Sequence, residues 1–473
     1  MKRLLLILFL AYGLSPIANS QDVQRFAERQ IMGTARYVGM GGAMTAIGGD
    51  PTAVMDNPAG LGLYRRSEIT ITIDETIDNT AQLSLSNSTQ SLTRSRFAMP
   101  QISALWAWGN DSKQRGMIYC NFMFSANRLA NFNRDIVVTG SGMGMVPTLC
   151  NITNDMGGLS EDMLYNKPWD NAEIGWLSIL GYEGYLINPI DDNRWEPAVN
   201  FTNGSLSISE SGTADQYTFS WAANINNQWY VGLNLNVPTL SYTKHTTHYE
   251  SDRVNSAELK SMYHLSGVGV SGSIGLIYRP IQALRIGASF QTPTVMNLSM
   301  QTEGDMYSTV NGQKYEILTP ASGVVNTELA SPLRTSVSVA GQLGSRAMLA
   351  VQYDYAHSSE MEDVHTMRVG AEAQAYRGLF FNAGYVYESS FMTQDPIWIL
   401  GYNDIRTDID YRYTMSSQYA SAGIGYRSNV VVAQLAYQYR WQTLHQYASE
   451  MQLLPFEVAT QTHRIVATLA WRF

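Results

Sequence analysis

Apolar and polar residues alternate with period two over long stretches of this chain, most clearly at its end. Ile465, Ala467, Leu469, Trp471 and Phe473 fall on one side, and Arg464, Val466, Thr468, Ala470 and Arg472 on the other. Period two is the signature of a β-strand. A strand with one greasy face and arginines on the other suits a wall between lipid and a polar lumen. The pattern recurs. Trp229, Val231, Leu233, Leu235 and Val237 alternate with Tyr230, Gly232, Asn234 and Asn236. Val431, Ala433, Leu435, Tyr437 and Tyr439 oppose Gln434, Gln438 and Arg440.

Loop lengths add a second regularity. Tight turns are predicted at 109–114, 226–227, 279–282, 344–346, 376–378 and 427–429. Long or polar connections are predicted near 79–94, 131–203, 247–262, 302–330, 358–364, 390–413 and 446–460. Short turns at one end and long loops at the other are the habit of bacterial barrels, and these connections join about fourteen strands. The expected fold is therefore all-β: a transmembrane antiparallel β-barrel spanning 67–473, with both chain ends on the short-turn side. The insert 131–203 carries Trp169, Trp176, Trp195 and an apolar run at 174–180. It reads as a partly helical lid on the loop side.

Composition narrows the class. Hydrophobic residues make up 45% and charged ones 15%, yet beyond the N-terminus there is no long apolar run. That excludes helical spans and leaves a barrel as the way to satisfy every backbone group in lipid. The 28 tyrosines and 10 tryptophans supply interfacial girdles. A net charge of −9 without any basic cluster argues against nucleic acid. At the start, Lys2 and Arg3 precede an apolar run, Leu4 to Ala11, then small residues to Ser20. This reads as a secretory signal peptide, 1–20, cut before Gln21; the run is too short for a spanning helix of about 20 residues. The expected address is the outer membrane, with outer-membrane lipid around the wall. Cys120 and Cys150 are expected to be free thiols.

The segment 21–66 differs from the rest. It is rich in glycine and alanine and has weak helical patterning. Ala35-Arg36-Tyr37-Val38-Gly39-Met40-Gly41-Gly42-Ala43-Met44-Thr45-Ala46, Asp50, and then Asn57-Pro58-Ala59-Gly60-Leu61 resemble the start of the FadL/TodX outer-membrane proteins. That resemblance implies a fourteen-stranded barrel with its N-terminal segment folded into the lumen as a hatch. It also implies passive uptake of hydrophobic small molecules such as long-chain fatty acids, with no cofactor. Gly39, Gly41, Gly42, Asn57, Pro58, Ala59 and Gly60 are then the hatch residues expected to gate the route. Small residues let a plug approach strand backbones closely, and Pro58 makes a rigid corner. The chain's end, with Trp471 and Phe473, resembles the strand that such barrels present to the barrel assembly machinery. The alternative within the same broad family is a PorV-like docking or shuttle barrel, whose partner would be a secretion-system protein.

One feature fits the transporter poorly. The inward face is polar at Arg285, Gln342, Gln352, Asp354, Glu372, Glu388, Arg427, Gln438, Arg440, Arg464 and Arg472, whereas a fatty-acid route needs apolar lining. Met117 and Met123 are expected to contribute some of that lining. Other motifs carry little. Gly267-Val268-Gly269-Val270-Ser271-Gly272 matches a dinucleotide fingerprint but continues as a strand. His245 and His248, three apart, point to opposite faces of a strand. His357 and His365 flank a short loop and read as solvated. The pairs Asp74/Glu75, Asp191/Asp192 and Asp408/Asp410 read as solvated loop carboxylates. Ser336 and Ser338 have no recognisable His and acid partners, so neither an enzyme nor a metal site is expected.

Overall fold

The computed structural model describes residues 28–473, apart from 84–88, 111–114, 142, 155–157, 167, 168, 170, 172, 192, 322, 323, 360, 391–404, 410 and 450–454. The expected signal peptide, the first residues of the hatch and Asp192 and Asp410 lie outside the described residues.

Fourteen antiparallel strands follow one another round a closed wall. They are β1 (Glu68–Leu83), β2 (Thr89–Gly109), β3 (Met117–Asn131, resuming as Arg134–Gly140), β4 (Asn203–Ile225), β5 (Trp229–Ser251), β6 (Ser256–Ile281) and β7 (Leu284–Gln291, resuming as Val295–Val310). There follow β8 (Gln313–Leu318, Val325–Ala330 and Leu333–Leu343), β9 (Ala347–Ser358), β10 (Met361–Tyr376), β11 (Leu379–Glu388), β12 (Tyr411–Arg427), β13 (Val431–Tyr447) and β14 (Phe456–Arg472). The last strand pairs with the first from Glu68↔Arg472 to Leu83↔Glu457, so the sheet has no free edge. No described helix is long and apolar enough to cross a membrane.

The alternation sorts as the sequence predicts. Ile465, Leu469, Trp471 and Phe473 are exposed on the outer face, while Arg464, Val466, Thr468 and Ala470 are buried on the inner one. The wall is thus inverted relative to a soluble protein, greasy outside and polar within. Met117 departs from expectation. An irregularity in the β3–β4 register between Met117 and Tyr119 leaves Met117 exposed, while Met123 is buried as expected. Three connections expected to be long are hairpins on extended strands, at 251–256, 310–313 and 358–361. The polar residues that suggested loops continue the ladders. At the tip of β7 and β8, Asn311 and Gly312 have φ of 53° and 80°, the backbone a two-residue type I′ turn requires.

Proline lies at breaks in both β7 and β8. Thr292-Pro293-Thr294 splits β7, and Ser331-Pro332 splits β8. Proline removes a ladder donor, and neighbouring hydroxyls repair the seam. Thr292 Oγ1 accepts from Gly272 N at 3.1 Å, and Ser331 Oγ accepts from Thr294 N at 3.1 Å.

Two structures close the barrel. The hatch holds α1 (Ala35–Gly39), α2 (Ala53–Asp56) and a 3-10 turn, Pro58–Leu63. Thr34 caps α1 by accepting from Tyr37 N, at 3.3 Å. The lid, from the long insert, holds α3 (Met145–Asn154), α4 (Glu161–Tyr165), α5 (Trp176–Glu183) and a small hairpin, Ile187–Asp191 with Arg194–Pro197. Its apolar side packs on Ala257, Leu259, Met306, Val310, Tyr411 and Tyr413 at the loop end of the wall. Cys150 lies buried in α3, where burial pushes its thiol up to about 12, and Cys120 lies in β3; both are free.

Candidate functional site: the hatch and the lumen it fills

Asn57 is a tie-point of the hatch. Its Oδ1 accepts from Ala59 N at 3.0 Å, starting the 3-10 turn that Pro58 then fixes. Its Nδ2 donates to Thr45 O at 2.8 Å and to Leu276 O of β6 at 3.2 Å. One side chain thus ties two parts of the hatch to each other and to the wall. The wall makes room for it: a Cβ on Gly275 would sit 1.9 Å from Asn57 Oδ1.

The glycine run at the end of α1 makes a second close approach. Gly41 has φ of +61°, a left-handed backbone, and lies against β11, where a Cβ on Gly384 would stand 2.2 Å from Gly41 N. Gly39 lies beside Asn382, Gly42 beside Arg368 and Gly60 against Gly48. Ala59 is fully buried near Tyr230 and Ile277 of the wall. The predicted hatch residues therefore fall into two groups, Gly39–Gly42 against β10 and β11, and Asn57–Gly60 against β5 and β6.

The polar inward face is explained by what it holds. Arg36 makes a two-pronged pair with Glu372, at 2.6 and 3.0 Å, and donates to Gly49 O at 3.1 Å. Arg285 donates to Ile47 O at 2.7 Å, Gln352 Oε1 accepts from Thr45 N at 3.0 Å, and Arg464 donates to Ile31 O at 2.9 Å. Arg368 reaches Asp354 at 2.7 Å, Tyr37 Oη at 3.0 Å and Asp56 at 3.4 Å. Of the side chains that looked wrong for a greasy channel, Arg285, Gln352, Glu372, Arg440 and Arg464 grip the plug directly, while Arg472 pairs with Glu68 of the wall. Burial pushes the Tyr37 phenol up, and the Asp56 carboxylate reinforces it. Burial also raises Asp50 against the pull of Arg36; its carboxylate accepts from Thr34 Oγ1. Sequence reasoning missed Arg36, Tyr37, Asp56 and Arg368 as anchors. Their only signal was a charged residue facing an all-small segment.

Above the hatch lies a chamber of about 40 Å³, lined by Glu28, Arg29, Leu129, Leu240, Met296 and Arg334 among others. A buried apolar cluster continues from it, with Phe132, Tyr242, Leu265, Leu298 and Leu329. The chamber is amphipathic, with aliphatic walls and arginine groups at one end. At this volume it holds a water-sized guest rather than an acyl chain, so a larger ligand requires residues 28–30 to move. Below the hatch, a vestibule of about 320 Å³ opens at the short-turn end, bounded by Arg36, Gly48, Leu63, Arg285 and Phe380.

The loop before β12 also enters the lumen. Asp408 is buried against Lys244 and Arg406; although burial opposes it, the two cations hold its carboxyl well below the ordinary value. Arg406 stacks over Tyr263 at 4.2 Å. This corrects the expectation of a solvated carboxylate at Asp408. Asp74 is corrected likewise: it is buried on the inner face of β1, 3.4 Å from Arg464. His245 and His248 do point to opposite faces of β5, the first exposed and the second buried. His357 pairs with Asp363 at 2.6 Å, His365 with Tyr353 at 2.7 Å, and the Tyr355 ring lies near both. Among the described residues, no group of three or more His, Cys, Asp or Glu is placed to hold a metal.

No family model and no curated protein matches the chain. Solved structures do. A FadL homologue from Pseudomonas aeruginosa superposes with a TM-score of 0.57 at 11% identity, covering 94% of this chain and 99% of its own. The P. putida toluene transporter TodX gives 0.53 at 11% identity, with the same coverage of both chains. CymD, a monoaromatic hydrocarbon channel, gives 0.52 at 13%, again covering 94% and 99%. The chain has the FadL/TodX barrel fold.

Proposed function

We propose that this protein is an outer-membrane channel for the passive uptake of hydrophobic small molecules, long-chain fatty acids among them. The observation that carries the reading is the amphipathic chamber above the hatch. Leu129, Leu240 and Met296 offer an alkyl chain apolar contact, while Arg29 and Arg334 can meet a carboxylate. The similar structures named for toluene and monoaromatic hydrocarbons support hydrophobic cargo in general. The arginines favour a cargo with an anionic end.

In this mechanism the ligand is captured at the loop end and passes into the chamber. The hatch then rearranges around Asn57–Gly60, and Gly39, Gly41 and Gly42 slide from β11, joining the chamber to the vestibule below. Movement is downhill and calls for neither nucleotide nor metal. A signal peptide at 1–20 would deliver the chain, and the Trp471–Phe473 end would engage the assembly machinery.

Native mass spectrometry of protein purified from its own membrane in mild detergent tests the reading. Retained adducts of acyl-chain mass are expected. An empty barrel carrying a defined protein adduct would overturn it in favour of a docking role.

A further inference from the structure

The segment 28–30 divides the lumen above the hatch in two. On one side is the amphipathic chamber. On the other, against β1–β3 and β12–β14, lies a second cavity of about 40 Å³ whose lining is polar apart from the Tyr419 ring. Five buried groups on that lining have no hydrogen-bond partner among the described residues: Arg96 Nε, Tyr419 Oη, Gln438 Nε2, Arg440 Nε and Thr460 Oγ1. All five can donate. The lining of the amphipathic chamber has no such orphan among the described residues. Buried polar groups are almost always satisfied, so orphaned donors gathered round one cavity ask for an acceptor within it.

The charges on the same side point to its sign. Arg96 pairs with Asp78, Arg464 with Asp74 and Arg440 with Glu28. Arg134 and Arg412 share a single carboxylate, Glu210, at 3.2 and 2.6 Å. Among the described residues, four guanidiniums, Arg96, Arg134, Arg440 and Arg464, line the cavity against one carboxylate, Asp78; Asp74, Glu28, Glu210 and Glu388, which act on these arginines, are not part of the lining. A small anion inside would therefore meet guanidinium donors on several sides.

We propose that this second chamber binds a compact hydrophilic monoanion, a carboxylate about the size of formate. The lining separates it from the fatty-acid headgroup of the proposed transport route. An alkyl chain here would lie against threonine, asparagine, glutamine and arginine, with no aliphatic wall. The two chambers would then take different solutes, and the anion site stands whether or not the transport reading does.

The test is equilibrium dialysis of the full-length protein against radiolabelled formate, in chloride-free buffer of constant ionic strength. One saturable site per chain is expected. Gln438→Leu combined with Thr460→Val removes two of the orphaned donors and leaves every ion pair in place. This variant should bind formate about ten-fold more weakly, the combined net worth of two modest hydrogen bonds. Heat-modifiable migration on gels checks that the barrel is folded; if the double variant fails that check, Thr460→Val alone carries the comparison. Oleate at saturation should leave formate bound, and its own retention reads the transport proposal separately. The proposal is overturned by no saturable formate site (the donors then hold water), by equal affinity in the variant, or by displacement of formate with oleate.

Discussion

The hatch and the lid both obstruct the same barrel, yet they are held by different physics. The hatch is fastened to the wall by discrete polar contacts: Arg36 on Glu372, Arg285 on Ile47 O, Asn57 on Leu276 O, and Asn121 on Leu61 O and Tyr64 O at 2.8 and 2.9 Å. It also makes apolar contacts with the wall: Met40, Met44 and Ile47 cluster with Ala340, Ala350, Val386 and Tyr419, and Val54 and Leu61 with Leu105 and Met123. The lid instead buries Leu149, Ile152, Trp176, Leu177 and Leu180 against aliphatic and aromatic wall residues. Exposing apolar surface costs about 25 cal/mol per Å² with nothing to offset it. A hydrogen bond exchanged for one to water has a net worth of only about 1 kcal/mol. The hatch therefore carries, beside its apolar packing, polar ties to the wall that water can replace, and the proposed mechanism assigns motion to it on that ground.

The contrast can be broken from either side. The largest effect is expected for Glu372→Ala, which removes the partner of the largely buried Arg36 guanidinium at the vestibule wall; losing one partner of a fully buried pair costs about 3–5 kcal/mol, an upper bound for a site that water can reach. Hydrogen exchange should rise across 35–49 while the wall stays protected. Next is Leu180→Ala in the fully buried core of the lid, with a cost of about 2–5 kcal/mol. Limited proteolysis should then cut within 145–183 and leave the heat-resistant barrel and the hatch unchanged. A smaller effect is expected for Asn57→Ala with Pro58→Ala, which removes the side chain that holds Ala59 N, Thr45 O and Leu276 O, at a cost of about 1–3 kcal/mol. Fatty-acid uptake should slow at equal surface level, and unchanged uptake would remove Asn57 from the gate.

The smallest effect concerns pH. A carboxyl whose value is lowered in the fold contributes stability that is full above the ordinary Asp value of about 4 and is lost as pH falls. Asp408 is such a group. Pepsin should spare 405–409 at pH 4 and begin to cut there near pH 2. Equal cutting at both would mean that the Lys244–Asp408–Arg406 contact does not anchor this segment.

Much of this was legible in the sequence, because lipid imposes a strict period. Ile465 to Phe473 and Trp229 to Val237 could be assigned to faces without any tertiary knowledge, since each outward position meets only lipid. Strand ends were harder. At 247–262 and 302–330, polar residues marked a change of surroundings above the lipid band rather than a break in the ladder. The small-residue hatch was visible as a composition shift, but its anchors were not. Arg36 and Glu372 lie 336 positions apart, and only closure of the barrel brings them together. The same holds for Asp408, whose partner Lys244 sits on a strand seven along the wall. Met117 failed for a local reason, a register irregularity that period two alone cannot reveal.

The central claim is that cargo passes only when the hatch moves, and a reversible tether tests it most directly. In a background with Cys120 and Cys150 replaced by alanine, Arg36→Cys and Glu372→Cys would place thiols on either side of the hatch–wall contact. A cleavable bifunctional thiol reagent then joins them. Fatty-acid uptake into proteoliposomes should be at least at its normal level before joining, fall to background when joined, and return on cleavage. Uptake that continues at full rate through a completely joined population would contradict the account, because the cargo would be crossing without the hatch.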